Sequence, residues 1–169
     1  MKKIVGVLLL FIFITTSCNQ DIFYEKMDKI PNETWNVNNK LVYEFEIKDS
    51  MEFYNIYINV RNTTDYPYQN LYVFLTNQFP SGIQMVDTLG CVLCDPFGKW
   101  YGKGNGNLKE NKFLLRKQVR FQQKGKYTFT VQQGMRDEDL KGIANFGITF
   151  EHYKPEKKQE IVQKQKFSG

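Results

Sequence analysis

Few side chains in this chain of 169 residues can do covalent chemistry: three cysteines, one histidine, and carboxylates distributed along its length. Cys91-Val92-Leu93-Cys94 is a C-x-x-C, the spacing of half a zinc site or of a thiol redox pair. A structural zinc takes four ligands, and with Cys18 closing an apolar leader the other candidate donor is His152. Zinc is therefore not expected. A redox C-x-x-C opens a helix, whose positive N-terminus lowers the thiol pKa, whereas this one ends a strand-like run before Asp95-Pro96. Two readings stay open. Cys91 and Cys94 form a disulfide, which requires the chain to turn between them because residues i and i+3 of a straight strand face opposite sides, or they are two separately buried thiols.

The other constellations are weaker still. His152 lies in a strand-like run, and no G-x-S-x-G elbow accompanies it, so a Ser-His-Asp arrangement has no local support. Asp65, Asp87, Asp95 and Asp137 are scattered among turns, with nothing to mark a pair for acid–base work. Gly98-Lys99-Trp100-Tyr101-Gly102-Lys103-Gly104-Asn105-Gly106 lacks the G-x-x-x-x-G-K-[ST] spacing of a phosphate loop, and no helix follows to meet a phosphate. It reads as an exposed loop. Lys99, Trp100, Tyr101 and Lys103 on it form a candidate patch for a partner protein or a glycan, against the reading in which Trp100 packs into the edge of the domain. No catalytic, cofactor-binding or metal-ligating set is expected, and the chain is read as a non-enzyme.

The one residue with an assignable modification is Cys18. Two lysines follow Met1, an unbroken apolar run extends from Ile4 to Ile14, and Thr15-Thr16-Ser17 lead into the cysteine. The run is too short for a membrane-spanning helix, which takes about 20 residues, and has the length of a signal-peptide core. Small residues ending in Cys make a lipobox, with Thr15 where Leu is commonest. Residues 1–17 are then a lipoprotein signal peptide. Cys18 becomes the diacylglycerol-modified first residue of the mature protein, its amino group acylated as by palmitate, and the attached chains hold the domain on a membrane. Removing residues 1–17 takes away two lysines and no acid, so the formal charge falls from +5 to +3. That balance speaks of solubility and not of nucleic acid.

Strands must position whatever the chain presents. Leu41 to Ile47 alternates with a period of two, putting Leu41, Tyr43, Phe45 and Ile47 on one face. Phe53–Arg61 does the same with Tyr54, Ile56, Ile58 and Val60. Runs at Leu71–Phe79, Met85–Leu93, Phe113–Gln122, Tyr127–Gln132 and Phe146–Tyr153 are rich in aromatic and β-branched residues, and turn signals such as Pro80-Ser81-Gly82 and Lys124-Gly125-Lys126 separate them. Two Trp, ten Tyr and fourteen Phe supply core mass. The expected fold is all-β, an antiparallel β-sandwich of about 7–9 strands, with a β-barrel as the alternative. Met135–Leu140 is the one stretch that suits a helical turn, a polar loop being the other reading, and residues 35–40 read as a connector. The expected organisation is a lipidated N-terminus and tether over 18–33, the sandwich over 34–153, and a charged disordered tail over 154–169. Ile22, Phe23, Tyr24 and Ile30 give the tether enough apolar bulk to dock as an edge strand.

The order of these features resembles a known family. The lipobox, Trp35, Val60-Arg61-Asn62, Tyr66-Pro67-Tyr68-Gln69-Asn70-Leu71-Tyr72, Asp87-Thr88-Leu89-Gly90-Cys91-Val92-Leu93, Gly98-Lys99-Trp100-Tyr101-Gly102-Lys103-Gly104 and Gly142-Ile143 stand as in the gliding motility lipoproteins of the GldH family, over residues 22 to 153. The resemblance implies a lipid-anchored cell-envelope protein of Bacteroidetes, an accessory or scaffold of the gliding motility and type IX secretion machinery. Its partners would be the membrane, through the lipid anchor, and other envelope proteins, with no cofactor and no nucleic acid. Surface-exported lipoproteins of that phylum carry several acids after the cysteine. Asn19-Gln20-Asp21 holds one, which favours an outer-membrane anchor facing the periplasm. Arg61-Asn62 and Asp87-Thr88 read as strand-end fixtures. A carbohydrate- or solute-binding lipoprotein is the alternative function, and it calls for a concave aromatic groove.

Overall fold

The alternating apolar segments pair into two antiparallel sheets in the computed structural model, which describes residues 21–154. Strands β1 (Ile22–Lys29), β4 (Phe53–Thr63), β7 (Leu108–Arg120) and β10 (Ile143–His152) make the first sheet, in the order β1-β10-β4-β7. Strands β3 (Leu41–Ile47), β5 (Asn70–Gln78), β6 (Gln84–Val92) and β8 (Gly125–Gln133) make the second, in the order β3-β8-β5-β6. Two three-residue strands, β2 (Thr34–Asn36) and β9 (Asp139–Lys141), pair with each other. The expected signal peptide, Cys18 and the tail beyond residue 154 lie outside the described residues.

Period-two burial explains why these sheets face each other. In β3 every second residue is buried, Leu41, Tyr43, Phe45 and Ile47, and in β4 the same holds for Tyr54, Ile56, Ile58 and Val60. Phe146, Ile148 and Phe150 of β10 complete the inner face of the first sheet. The sheets meet through rings: Phe45 lies 4.5 Å from Phe150 at 85°, and Tyr127, Phe129 and Phe121 surround it at 5.2–5.6 Å. Tyr43 also donates from its hydroxyl to the Phe146 carbonyl at 3.1 Å, tying one sheet to the other where its phenol is buried.

Loops collect at two poles. Register pairs Ile22 with Glu151, His152 with Tyr54, Phe53 with Arg120, Ile47 with Gly125 and Gln78 with Gln84. The start of β1, the end of β10 and the loops 48–52, 79–83 and 121–124 therefore share one pole, termed here the terminal pole. The turns 64–69, 93–107 and 134–142 lie at the other, the distal pole.

Neither sheet closes on itself, so the sandwich holds and the barrel alternative does not. Ten strands form among the described residues instead of about 7–9, the excess coming from β2 and β9. These are also where local reading was wrong. Residues 139–141 pair as β9 and no helical turn forms over Met135–Leu140, because Leu140 is wholly buried opposite Trp35. Trp35 is not in a connector: it has zero exposure, packs 5.2 Å from Phe146, and donates from Nε1 to the Asn39 carbonyl at 2.8 Å. The small β2–β9 ribbon caps the core at the distal pole. Residues 22–29 dock as an edge strand, as their apolar bulk suggests.

The core arrangement predicts unequal costs for truncation. Phe45→Ala is expected to destabilise the domain by about 3–5 kcal/mol, while Val42→Ala, on the exposed side of the same strand, should stay within about 0.5 kcal/mol. Urea denaturation midpoints compare the two, and equal shifts would remove Phe45 from its central role.

Candidate functional site

The outer face of the first sheet is polar and its side chains are paired across strands. Cross-strand register sets Arg61 opposite Glu110 and Asn59 opposite Lys112. Arg61 Nη2 lies 2.7 Å from Glu110 Oε1, and Lys112 Nζ lies 2.5 Å from Glu151 Oε1 and 4.3 Å from the Tyr57 ring centroid. Asn59 Nδ2 donates to Thr149 Oγ1 at 2.7 Å, and Thr149 Oγ1 donates to Glu25 Oε1 at 3.2 Å. Exposed ion pairs of this kind contribute only about 0–1 kcal/mol each to stability. What they do is hold long charged side chains in a defined pattern.

Two glycines shape this face. One transverse row runs Met27, Gly147, Asn59 and Lys112 across β1, β10, β4 and β7. Gly147 contributes no side chain to it, and a Cβ there would come within 2.6 Å of the Lys26 carbonyl and 2.9 Å of Met27 Sδ. Glycine there lets the β1 backbone and the Met27 thioether close over β10. The other glycine brings a loop alongside: Lys103 N–H donates to Glu110 O at 2.9 Å and Glu110 N–H to Lys103 O at 2.7 Å, so the glycine-rich loop extends the free edge of β7. Gly102 permits that approach, since a Cβ would sit 2.8 Å from Asn111 Nδ2, itself donating to Asn62 Oδ1 at 2.9 Å. Together these features form a groove of about 560 Å³ whose lining includes Tyr101, Lys103, Arg61, Lys112, Glu25 and Met27.

The sequence-derived patch therefore divides. Tyr101, 61% exposed, and Lys103 line the groove, whereas Trp100 is half-buried against the core and bridges to Cys94. Lys99 is exposed in a turn held by Asp95, whose Oδ1 accepts from the amides of Phe97 and Lys99 at 2.9 Å. Arg61 and Asn62 do more than end a strand, since both make side-chain contacts to β7. Asp87 faces Arg116 at 3.5 Å. Glu110, Lys112 and Gly147 escaped sequence reasoning. The signal available was the lone glycine in Phe146-Gly147-Ile148, a strand interior where glycine marks a bulge or a close approach.

The thiols stand apart from this groove. Cys91 and Cys94 are both buried and not bonded to each other. Cys91 points into the core opposite Leu71, and desolvation pushes its thiol up to about 11. Cys94 is raised as well, by desolvation first and then by the adjacent Asp95. His152 sits at the terminal pole, its ring 5.8 Å from Phe23 and 5.3 Å from Tyr54, and its Nδ1 3.5 Å from Glu52 Oε2. Among the described residues no three His, Cys, Asp or Glu side chains gather as a metal site, and no helix is long and apolar enough to cross a membrane.

Residues 22–150 match the profile of the GldH lipoprotein family. The chain is 34% identical over 153 residues to the gliding motility lipoprotein GldH homolog of Christiangramia forsetii, covering 83% of this chain and 93% of that protein. It is 29% identical over 153 residues to the gliding motility lipoprotein GldH of Flavobacterium johnsoniae, covering 86% and 94% respectively. Among solved structures, dimeric latent PorU from Porphyromonas gingivalis aligns with 78% of this chain and 13% of its own, at 9% identity and a TM-score of 0.35.

Burial of the thiols gives a direct expectation. A raised pKa keeps Cys91 protonated, and only the thiolate is nucleophilic, so iodoacetamide should leave Cys91 unmodified in the folded protein at neutral pH, with labelling accelerating toward pH of about 11. Denaturant without reductant should expose both thiols to alkylation, read by intact mass. Rapid native labelling of Cys91 would contradict its burial.

Proposed function

Because the chain belongs to the GldH lipoprotein family, we propose that it works as a lipid-anchored cell-envelope protein of gliding motility, associated with type IX secretion. In this reading it is an accessory or scaffold that acts by protein–protein contact, without catalysis. Cys18 carries the lipid, and the anchor lies in the outer membrane with the domain facing the periplasm.

The observation that carries this reading is the groove on the outer face of the first sheet. Its volume of about 560 Å³ is within the usual span of small-molecule sites, about 300–1,000 Å³, but such sites are mostly apolar and enclose the ligand. Here Arg61, Lys103, Lys112, Glu25 and Glu110 line an open depression. Interspersed charges of both signs around an exposed tyrosine suit a polar protein surface, where charge complementarity sets specificity and register. The glycan reading calls for several rings side by side. Of the aromatic lining, Tyr101 is exposed and Phe113 half-buried, which favours a protein partner.

Two experiments test the proposal. Tyr101→Ala combined with Lys103→Glu should sharply reduce recovery of crosslinked envelope proteins while leaving the thermal unfolding midpoint near that of the parent, since both side chains are exposed. Unchanged recovery would count against the groove as the contact surface. Cys18→Ala should move the protein from the membrane to the soluble fraction, because stable attachment rests on the acyl chains. Retention in the membrane would overturn the anchor.

A further inference from the structure

The terminal pole presents both cationic and exposed apolar side chains. Between Glu110 and Asp137 the chain has no acid, and the end of β7 with the loop after it carries Arg116, Lys117, Arg120 and Lys124. Arg116 is matched to Asp87. Lys48, Lys117, Arg120 and Lys124 have no carboxylate partner among the described residues, and Arg120 lies 5.9 Å from the Phe53 ring centroid. Acids are present here too: Asp49 accepts from the Met51 amide at 2.9 Å, Glu52 from the Tyr54 hydroxyl at 2.7 Å, and Asp21 pairs with Lys154. The distal turns 64–69, 93–107 and 134–142 hold five acids and four bases, and expose Phe97 (95%) and Tyr101 (61%). At the terminal pole the loop tips also expose Met51 (68%) and Ile83 (63%).

The covalent tether leaves from this same pole. Asp21 begins the described chain there, its carbonyl accepting from the His152 amide at 2.7 Å. Two residues, Asn19 and Gln20, lie between it and Cys18, and the three extended steps reach about 11 Å at most. A domain so tethered cannot turn its distal pole to the bilayer. The surface held against the headgroups bears the exposed Lys48, Lys117, Arg120 and Lys124 and the exposed Met51 and Ile83.

We propose that the terminal pole is a membrane-docking surface. Met51 and Ile83 contact the acyl boundary, and Lys48, Lys117, Arg120 and Lys124 lie among anionic phospholipid headgroups. The occupant is the bilayer that holds the anchor. This inference rests on Cys18 being lipidated. It stands the strands upright and points the glycine-rich loop, with Tyr101 and Lys103, away from the membrane toward partners.

The test uses the full-length lipidated protein in vesicles of phosphatidylethanolamine with phosphatidylglycerol, and hydrogen–deuterium exchange as the readout. Peptides covering 48–53, 79–84 and 117–124 should exchange several-fold more slowly on vesicles than in detergent, with partial relief at high salt, while peptides covering 94–107 and 134–141 stay unchanged. A lipidated Met51→Ser, Ile83→Ser, Lys124→Glu variant should stay membrane-bound and lose that protection, unchanged exchange at the distal peptides showing that it is folded. Equal exchange at both poles of the vesicle-bound parent, or protection at the distal pole, overturns the docking. If Cys18→Ala is released while the lipidated parent shows equal exchange, docking alone falls. If Cys18→Ala remains membrane-bound, the anchor falls and docking falls with it.

Discussion

The edge-to-face contact of Phe45 with Phe150, 4.5 Å between centroids, joins the two sheets at the centre of the domain. Such pairs are favoured because the positive ring edge meets the negative ring face, and this one is embedded among Tyr24, Phe121, Tyr127 and Phe129. Four segments of chain, distant in sequence, converge on it. With those rings turned inward, period-two alternation sends the intervening side chains outward, so the packing of the core decides which residues reach solvent.

The outer face of the first sheet follows from that choice. Arg61, Asn59 and Tyr57 alternate with the buried Val60, Ile58 and Ile56, and they meet Glu110, Lys112 and Leu114 because the β4–β7 register aligns them. A one-residue slip would bury the charges and expose the core. The same constraint makes Gly147 consequential, since its place in β10 faces outward between Met27 and Asn59. Met27 closes over that position from β1 and itself lines the groove.

Connectivity divides labour between the poles. Antiparallel pairing of β1 with β10 returns the chain to the pole where it entered, so the end next to Cys18 and the end bearing the glycine-rich loop are held apart by the length of the strands. In the proposed function, lipid attachment and partner contact then work on opposite ends of one sandwich without competing for surface.

Much of the fold was legible because strand alternation is local: Leu41 to Ile47 and Phe53 to Arg61 announce their buried faces within seven to nine residues. The sequence by itself determined the all-β class, the inward residues of most strands, the lipobox at Cys18 and the GldH resemblance, all of which rest on neighbours along the chain. Tertiary structure alone decided that Trp35 is core, that residues 139–141 pair as β9 instead of forming a helical turn, and that Trp100 turns inward while Tyr101 and Lys103 line the groove. Those outcomes depend on partners far away in sequence: Leu140 for Trp35 and for the β9 pairing, and Glu25, Met27 and Arg61 for the groove that Tyr101 and Lys103 line. Periodicity tells which way a side chain points within its own strand, and only sheet order and register tell what it meets.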